Sequence, residues 1–182
     1  MILLLLVTAG YGYRQFSVCR QAEQLISSFV HSLNTGDFKS ASMMLDSNAV
    51  LAEENSSHSR ILSAILATTT IRILDSHRIE DSVMVTVAIS AVDMQQVNSQ
   101  IGQNLATGGY ESMLNITKGS DPEEVRSVVE KIYISAINSA DRQMRTETVS
   151  VRIFKKNGRP VIRDSIELAD AITGGLAGAP QR

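Results

Sequence analysis

The chain has no tryptophan, one cysteine, 3 prolines and 11 glycines in 182 residues, and only 4% of its residues are aromatic. So few aromatics leave no stacking platform for bases or sugars. One cysteine cannot close an internal disulfide, so no covalent staple supports the fold. Proline and glycine are too scarce for a collagenous chain, and 43% hydrophobic residues are too many for a disordered one. The net charge of −2 argues against general nucleic-acid binding, and no nucleic-acid partner is expected. Neither a glycine-rich phosphate loop nor a nucleophile elbow occurs. The three histidines, His31, His58 and His77, lack ligand spacing and an acidic cluster, so neither metal nor cofactor is expected. What remains is a globular chain of one-domain length, able to bury a real core.

Long hydrophobic runs are scarce too. Ile2 to Ala9 is continuously apolar and no charge occurs before Arg14, yet a bilayer-spanning helix needs roughly 17 to 25 such residues. Three readings stay open: a secretory signal with Val7-Thr8-Ala9 as its small-residue cleavage site, the surviving end of a membrane anchor, or a buried element of the domain. On this basis residues 1–15 are an apolar signal or anchor remnant, 16–176 the domain, and 177–182 a small, polar, mobile tail. The expected address is membrane-anchored or exported, on the extracytoplasmic face. Lipid attachment at Cys19 is not expected. Val18 and Phe16 stand where a lipobox wants a small and an aliphatic residue, and Arg14 interrupts the apolar stretch.

Periodicity orders the rest. Val18, Ala22, Leu25, Ile26, Phe29, Val30 and Leu33 recur at helical spacing from about Phe16 to Leu33, ending at Asn34-Thr35-Gly36. Asp37 caps a short second helix, and Ser57 to Leu66 reads as a third. Thr68 to Ile79 turns β-branched, and Val83, Val85, Val87 and Ile89 alternate with smaller or polar residues, predicting a hairpin around Glu80-Asp81. The helical period returns after Asp93 up to Gly108-Gly109. Ser120-Asp121-Pro122-Glu123-Glu124 starts another helix with a capping side chain, proline and acids at the positive helix end. Thr146 to Phe154 alternates, with Val149, Val151 and Ile153 inward. Lys156-Asn157-Gly158 turns into a short return strand, and a last helix ends at Gly174-Gly175.

This α+β order resembles the cone-shaped nuclear transport factor 2-like (NTF2-like) superfamily. More narrowly, it resembles the small exported or anchored NTF2-like proteins and lipoproteins of Gram-positive bacteria that have no assigned activity. The residues behind the likeness are FVHSLNTGDFKSASMML from Phe29 to Leu45, the valine-rich strand 83–89, the SDPEEV helix start, and KKNGRPVIRDSIELADAITGGL from Lys155 to Leu176. It covers residues 16 to 176 and includes no catalytic motif. Those relatives usually carry an aromatic in the last strand, where this chain has Arg159-Pro160-Val161, and many carry a lipobox. The resemblance implies a curved antiparallel sheet of about four strands packed against several helices. Such a scaffold hosts enzymes, carriers and assembly modules alike.

Two residue groups suggest function. Asp75 and His77, two apart on a strand, share the parity of Ile71 and Ile73 and would face inward. There a carboxylate orienting an imidazole makes a general base, with Tyr133 in reach. From Arg142 to Arg163 seven basic residues (Arg142, Arg145, Arg152, Lys155, Lys156, Arg159, Arg163) face one acid, Glu147, a local charge of +6 on a body of −8. Such a ribbon suits an anionic surface, and it equally suits a solvated hairpin protected from edge pairing. The leading expectation is a non-enzymatic domain binding an envelope protein partner or a small apolar ligand. Val85, Val87, Ile89, Val149, Val151 and Ile153 would line its apolar cavity. The alternatives are a small isomerase or dehydratase using His77 with Asp75, and a subunit of a secretion or conjugation assembly. A homodimer through the small polar face of Met84, Thr86, Ala88, Ser90, Thr146, Thr148 and Ser150, and contact with a membrane surface, are the further partner readings.

Overall fold

The computed structural model describes residues 2–47, 57–110, 121–139 and 141–177. Glu53 and Glu54, Ser120 and the last five residues of the tail lie outside them. Six helices and a four-stranded antiparallel sheet, curved and unclosed, make an α+β fold among the described residues.

The first helix, α1, spans Ile2–Asn34. It therefore starts well before Phe16, and the apolar run is its opening half. No proline interrupts Ile2 to Gln15, and leucine is a strong helix former, so nothing local stops the helix there. Its stripe of Ala22, Ile26, Phe29, Val30 and Leu33 is buried as the periodicity demanded. The helix closes on Gly36 at φ 74°, with Asp37 N–H donating to the Ser32 carbonyl at 2.9 Å and Gly36 N–H to Leu33 at 3.1 Å. That is a Schellman ending, and it needs the left-handed backbone that glycine adopts freely.

Asp37 then caps α2 (Phe38–Met44), accepting from the Ser40 backbone. Hydrogen bonds from the Ser40 side chain and then its N–H hold the Asp37 carboxyl below its usual range. Helix α3 (Ser57–Ala67) leads into β1 (Thr70–Ile79) and β2 (Ser82–Val92). Helices α4 (Met94–Ala106) and α5 (Pro122–Ile137) follow, capped by Asp93 and Asp121. Strands β3 (Met144–Lys156) and β4 (Arg159–Ile162) turn through Asn157 and Gly158, both at positive φ. Ser165 caps α6 (Ile166–Ile172), where the first-turn Glu167 is held low by its own N–H and the Ser165 hydroxyl.

Strand order is β1-β2-β3-β4. Ser82 pairs with Phe154 and Val92 with Met144, so both hairpin turns lie at one end of the sheet. That end is called the tip below. The inner face of β2 and β3 carries Val83, Val85, Val87, Ile89, Val149, Val151 and Ile153. It packs with the α1 stripe and with Leu168, Ala171 and Ile172 of α6 into one core. Burying each valine, leucine, isoleucine or phenylalanine among them contributes about 1.5–3 kcal/mol. A second core gathers Ile65, Val92, Met94, Val97, Ile101, Ile132 and Ile137 where α3, α4 and α5 meet the far end of β2. Glu130, 7% exposed, is held at its edge by Arg60 at 3.1 Å. On the other face of the sheet, Thr146, Thr148 and Ser150 are exposed.

The far end is clasped tightly. Met94 N–H donates to the Gly174 carbonyl at 3.0 Å, and buried Thr69 donates its hydroxyl to the Ile172 carbonyl at 3.1 Å. Gly174 sits at φ 63°, and a Cβ there would run into the Val92 carbonyl oxygen.

Candidate basic pocket at the tip of the sheet

An antiparallel meander brings the ends of its two hairpins together, so residues some 70 positions apart become neighbours at the tip. Arg78, Asp81 and Ser82 come from the first hairpin, Arg152, Phe154 and Lys155 from β3, and Arg163 from just past β4. With Val18 of α1 and Asp46 they line an open pocket of about 790 Å³. Four cations thus face two carboxylates.

The side chains divide into held and free. Arg152 donates from Nε to the Ser82 hydroxyl at 3.0 Å, and that hydroxyl donates to the Ile79 carbonyl at 2.9 Å. Arg78 donates from Nε to the Glu80 carbonyl at 2.8 Å, with a terminal nitrogen 4.0 Å from Asp81. Just outside the pocket, Lys156 donates to the Asp46 carbonyl at 2.5 Å. The Asp46 carboxylate accepts from the Asp164 N–H at 2.8 Å, and Ser47 donates to the Asp164 carboxylate at 2.9 Å. These bonds, with the Asp46 N–H on the Ile162 carbonyl at 2.9 Å, fasten the loop after α2 to the end of β4. Arg163 is fixed beside Arg152 by its backbone N–H on the Arg152 carbonyl at 2.8 Å. The Lys155 and Arg163 side chains have no hydrogen-bond or ion-pair partner among the described residues. Guanidinium groups offer forked donors to phosphate or carboxylate oxygens, and an ammonium adds a mobile point charge. The arrangement can therefore take an anionic group in a partly sheltered cleft.

Of the seven cations in the basic ribbon, Arg152, Lys155 and Arg163 line the pocket, with Lys156 adjoining it and Arg159 at the hairpin turn. Arg142 and Arg145 do not. They lie at the opposite end of β3, where Arg145 pairs with Glu147 and stands 3.6 Å from Asp170 of α6. The ribbon is continuous in sequence and split in space, because an extended strand carries its two ends far apart. Arg78 is the cation that sequence reasoning missed. Its signal was available only to someone who first placed both turns at one end of a meander.

Asp75 and His77 do pair, Nδ1 to Oδ2 at 3.0 Å, but with side chains 65% and 52% exposed. The expected inward parity fails because the β1–β2 register shifts between Ile73 and Asp75. That bulge at Leu74 inserts one residue and sends the following pair to the other face. Ser76 takes the inward position instead, donating to Glu23 of α1 at 2.5 Å. Tyr133 stands beside the second core and donates its hydroxyl to Asn98 at 3.1 Å, on elements apart from the histidine. The triad of residues is not assembled. Val85, Val87 and Ile89 are fully buried, and Val149, Val151 and Ile153 nearly so, packed into the first core. None of them lines the pocket.

Among the described residues, no group of three or more histidine, cysteine or acidic side chains could hold a metal ion, and no helix is long and apolar enough to cross a membrane. Compared with protein-family models, curated proteins and solved structures, the chain finds no match.

Proposed function

We propose that this chain is a non-enzymatic binding domain of NTF2-like build, membrane-anchored or exported, whose working surface is the basic pocket at the tip. The observation that carries the proposal is the surplus of positive charge there, above all Lys155 and Arg163, whose side chains have no partner among the described residues. A cation left unneutralised in a cleft attracts anions from a distance and holds them more strongly than one on open surface. The lining supports binding over catalysis. Among the described residues it contains no histidine, cysteine, tyrosine or glutamate, and the one hydroxyl among them, on Ser82, is already engaged with Arg152 and Ile79. The packed inner face gives an apolar ligand less support than an anionic one. The isomerase or dehydratase alternative would rest on Asp75 and His77, which stand in water, where a general base lacks the enclosed setting that tunes it. The NTF2-like likeness is supported by the order of elements and by helices covering one face of a curved sheet.

Arginine side-chain N–H resonances test this directly. Titrating inorganic pyrophosphate into the ¹⁵N-labelled protein is expected to shift the Nε–H signals of Arg78, Arg152 and Arg163 and to leave that of Arg142 in place. Unmoved signals at millimolar pyrophosphate, or equal shifts at all four arginines, would overturn the assignment.

A further inference from the structure

The direction of α1 bears on what the anion is. Glu23 meets Ser76, part-way along β1, and Val18 lines the pocket at the tip. Going back along α1 from Glu23 therefore runs toward the tip and beyond it. The helix residues before Val18 extend past the pocket by about 24 Å at 1.5 Å per residue. From Ile2 to Tyr13 that extension holds no charged residue; Tyr11 and Tyr13 come next to its end, and Arg14 follows. An apolar stretch bordered by tyrosines and then a cation is the order met on passing from acyl chains through the interface to the headgroups. Its length, about 18 Å, covers more than half of a hydrocarbon layer roughly 30 Å thick.

Resting on the reading of the pocket as an anion site, we infer that its ligand is the phosphate of anionic phospholipid headgroups, in the membrane that the apolar half of α1 enters. Once that half is inserted, the tip is the part of the domain that faces the headgroups. Arg78, Arg152, Lys155 and Arg163 then stand at headgroup depth, with Lys156 and Arg159 beside them on the second hairpin. The rest of the molecule is acidic and is held away from the surface. The contact is thus oriented: helix in the acyl layer, basic tip on the headgroups, second core farthest out.

The test uses the full chain and sedimentation with vesicles of phosphatidylcholine alone or with 30 mol% phosphatidylglycerol. The wild type is expected to prefer the anionic vesicles, and K155Q/R163Q to lose about 25-fold on them and nothing on neutral ones, at about five-fold for each cation near an anionic surface. Both side chains are exposed and without partners among the described residues, so the variant should melt with the wild type. R126Q/K131Q, which removes the same net charge from α5, is expected to change binding less than three-fold. Raising salt from 0.1 to 0.5 M should abolish the anionic preference of the wild type, a readout that needs no variant. Equal binding to both vesicles, or equal loss in the two double variants, would overturn the inference. If the arginine signals respond to pyrophosphate while the vesicles show no preference, the lipid assignment falls and the anion site stands; silence in both removes both.

Discussion

The two ends of the sheet use the same residue types to opposite effect. At the far end Arg145 is drawn in between Glu147 and Asp170, its side chain 33% exposed, and Gly174 lets the end of α6 close on Val92 and Met94. At the tip, the Lys155 and Arg163 side chains have no hydrogen-bond or ion-pair partner among the described residues, Arg152 is aimed by a neutral oxygen, and Arg78 by the Glu80 carbonyl with Asp81 only at 4.0 Å. One end spends its charges on holding the fold together. The other leaves them available, as a site must. A basic run in a sequence therefore says little until each cation's partner through space is known, since a paired cation stabilises and an unpaired one recruits.

The sharpest way to break the comparison is at Gly174. Gly174→Ala forces an L side chain into a left-handed backbone and against the Val92 carbonyl, and is expected to destabilise by about 3 kcal/mol or more. Urea unfolding measures it; a loss under 1 kcal/mol would mean the far end is not clasped as described. The next effect is smaller and contrasts the two ends. Arg145→Ala should cost about 1 kcal/mol, allowing for the partial exposure of its ion pairs. Arg163→Ala should change stability by less than about 0.5 kcal/mol while weakening pyrophosphate binding. Equal melting losses in the two variants would erase the distinction between holding and recruiting cations.

The smallest effect concerns pH. Asp37 and Glu167 have folded-state carboxyls held below their ordinary values of 3.8 and 4.5 by hydrogen bonds at helix starts. Their contribution is complete above those values and is lost as pH falls through the lowered ones. Melting temperature should therefore drop between pH 5 and pH 3, and D37N/E167Q should flatten that slope. An unchanged slope would show that other carboxyls govern acid unfolding.

Much of the fold was legible in the residues. The stripe from Ala22 to Leu33, the caps at Asp37 and Asp121, the alternation of Val83 to Ile89 and the Asn157-Gly158 turn are all local signals, and each lands where its chemistry put it. The start of α1 was not legible, because an apolar run followed by a helix reads as a separable leader as readily as one continuous helix. The parity of Asp75 and His77 was lost to a single extra residue at Leu74. Only part of the pocket could be foreseen: Arg152, Lys155 and Arg163 announced themselves as charge, but Arg78, Ser82 and Asp46 have no local mark.

What the sequence by itself determined is which segments are helix and strand, which faces are apolar, and where the positive charge is concentrated along the chain. Side-chain spacing and capping act over a few residues and are written in the residues concerned. What only the tertiary structure decided is which cations meet an acid and which meet open space. That depends on strand register, on one bulge in β1 and on the side of the sheet that α1 covers. Each brings together groups tens of residues apart, and no short-range pattern encodes a partner at that distance.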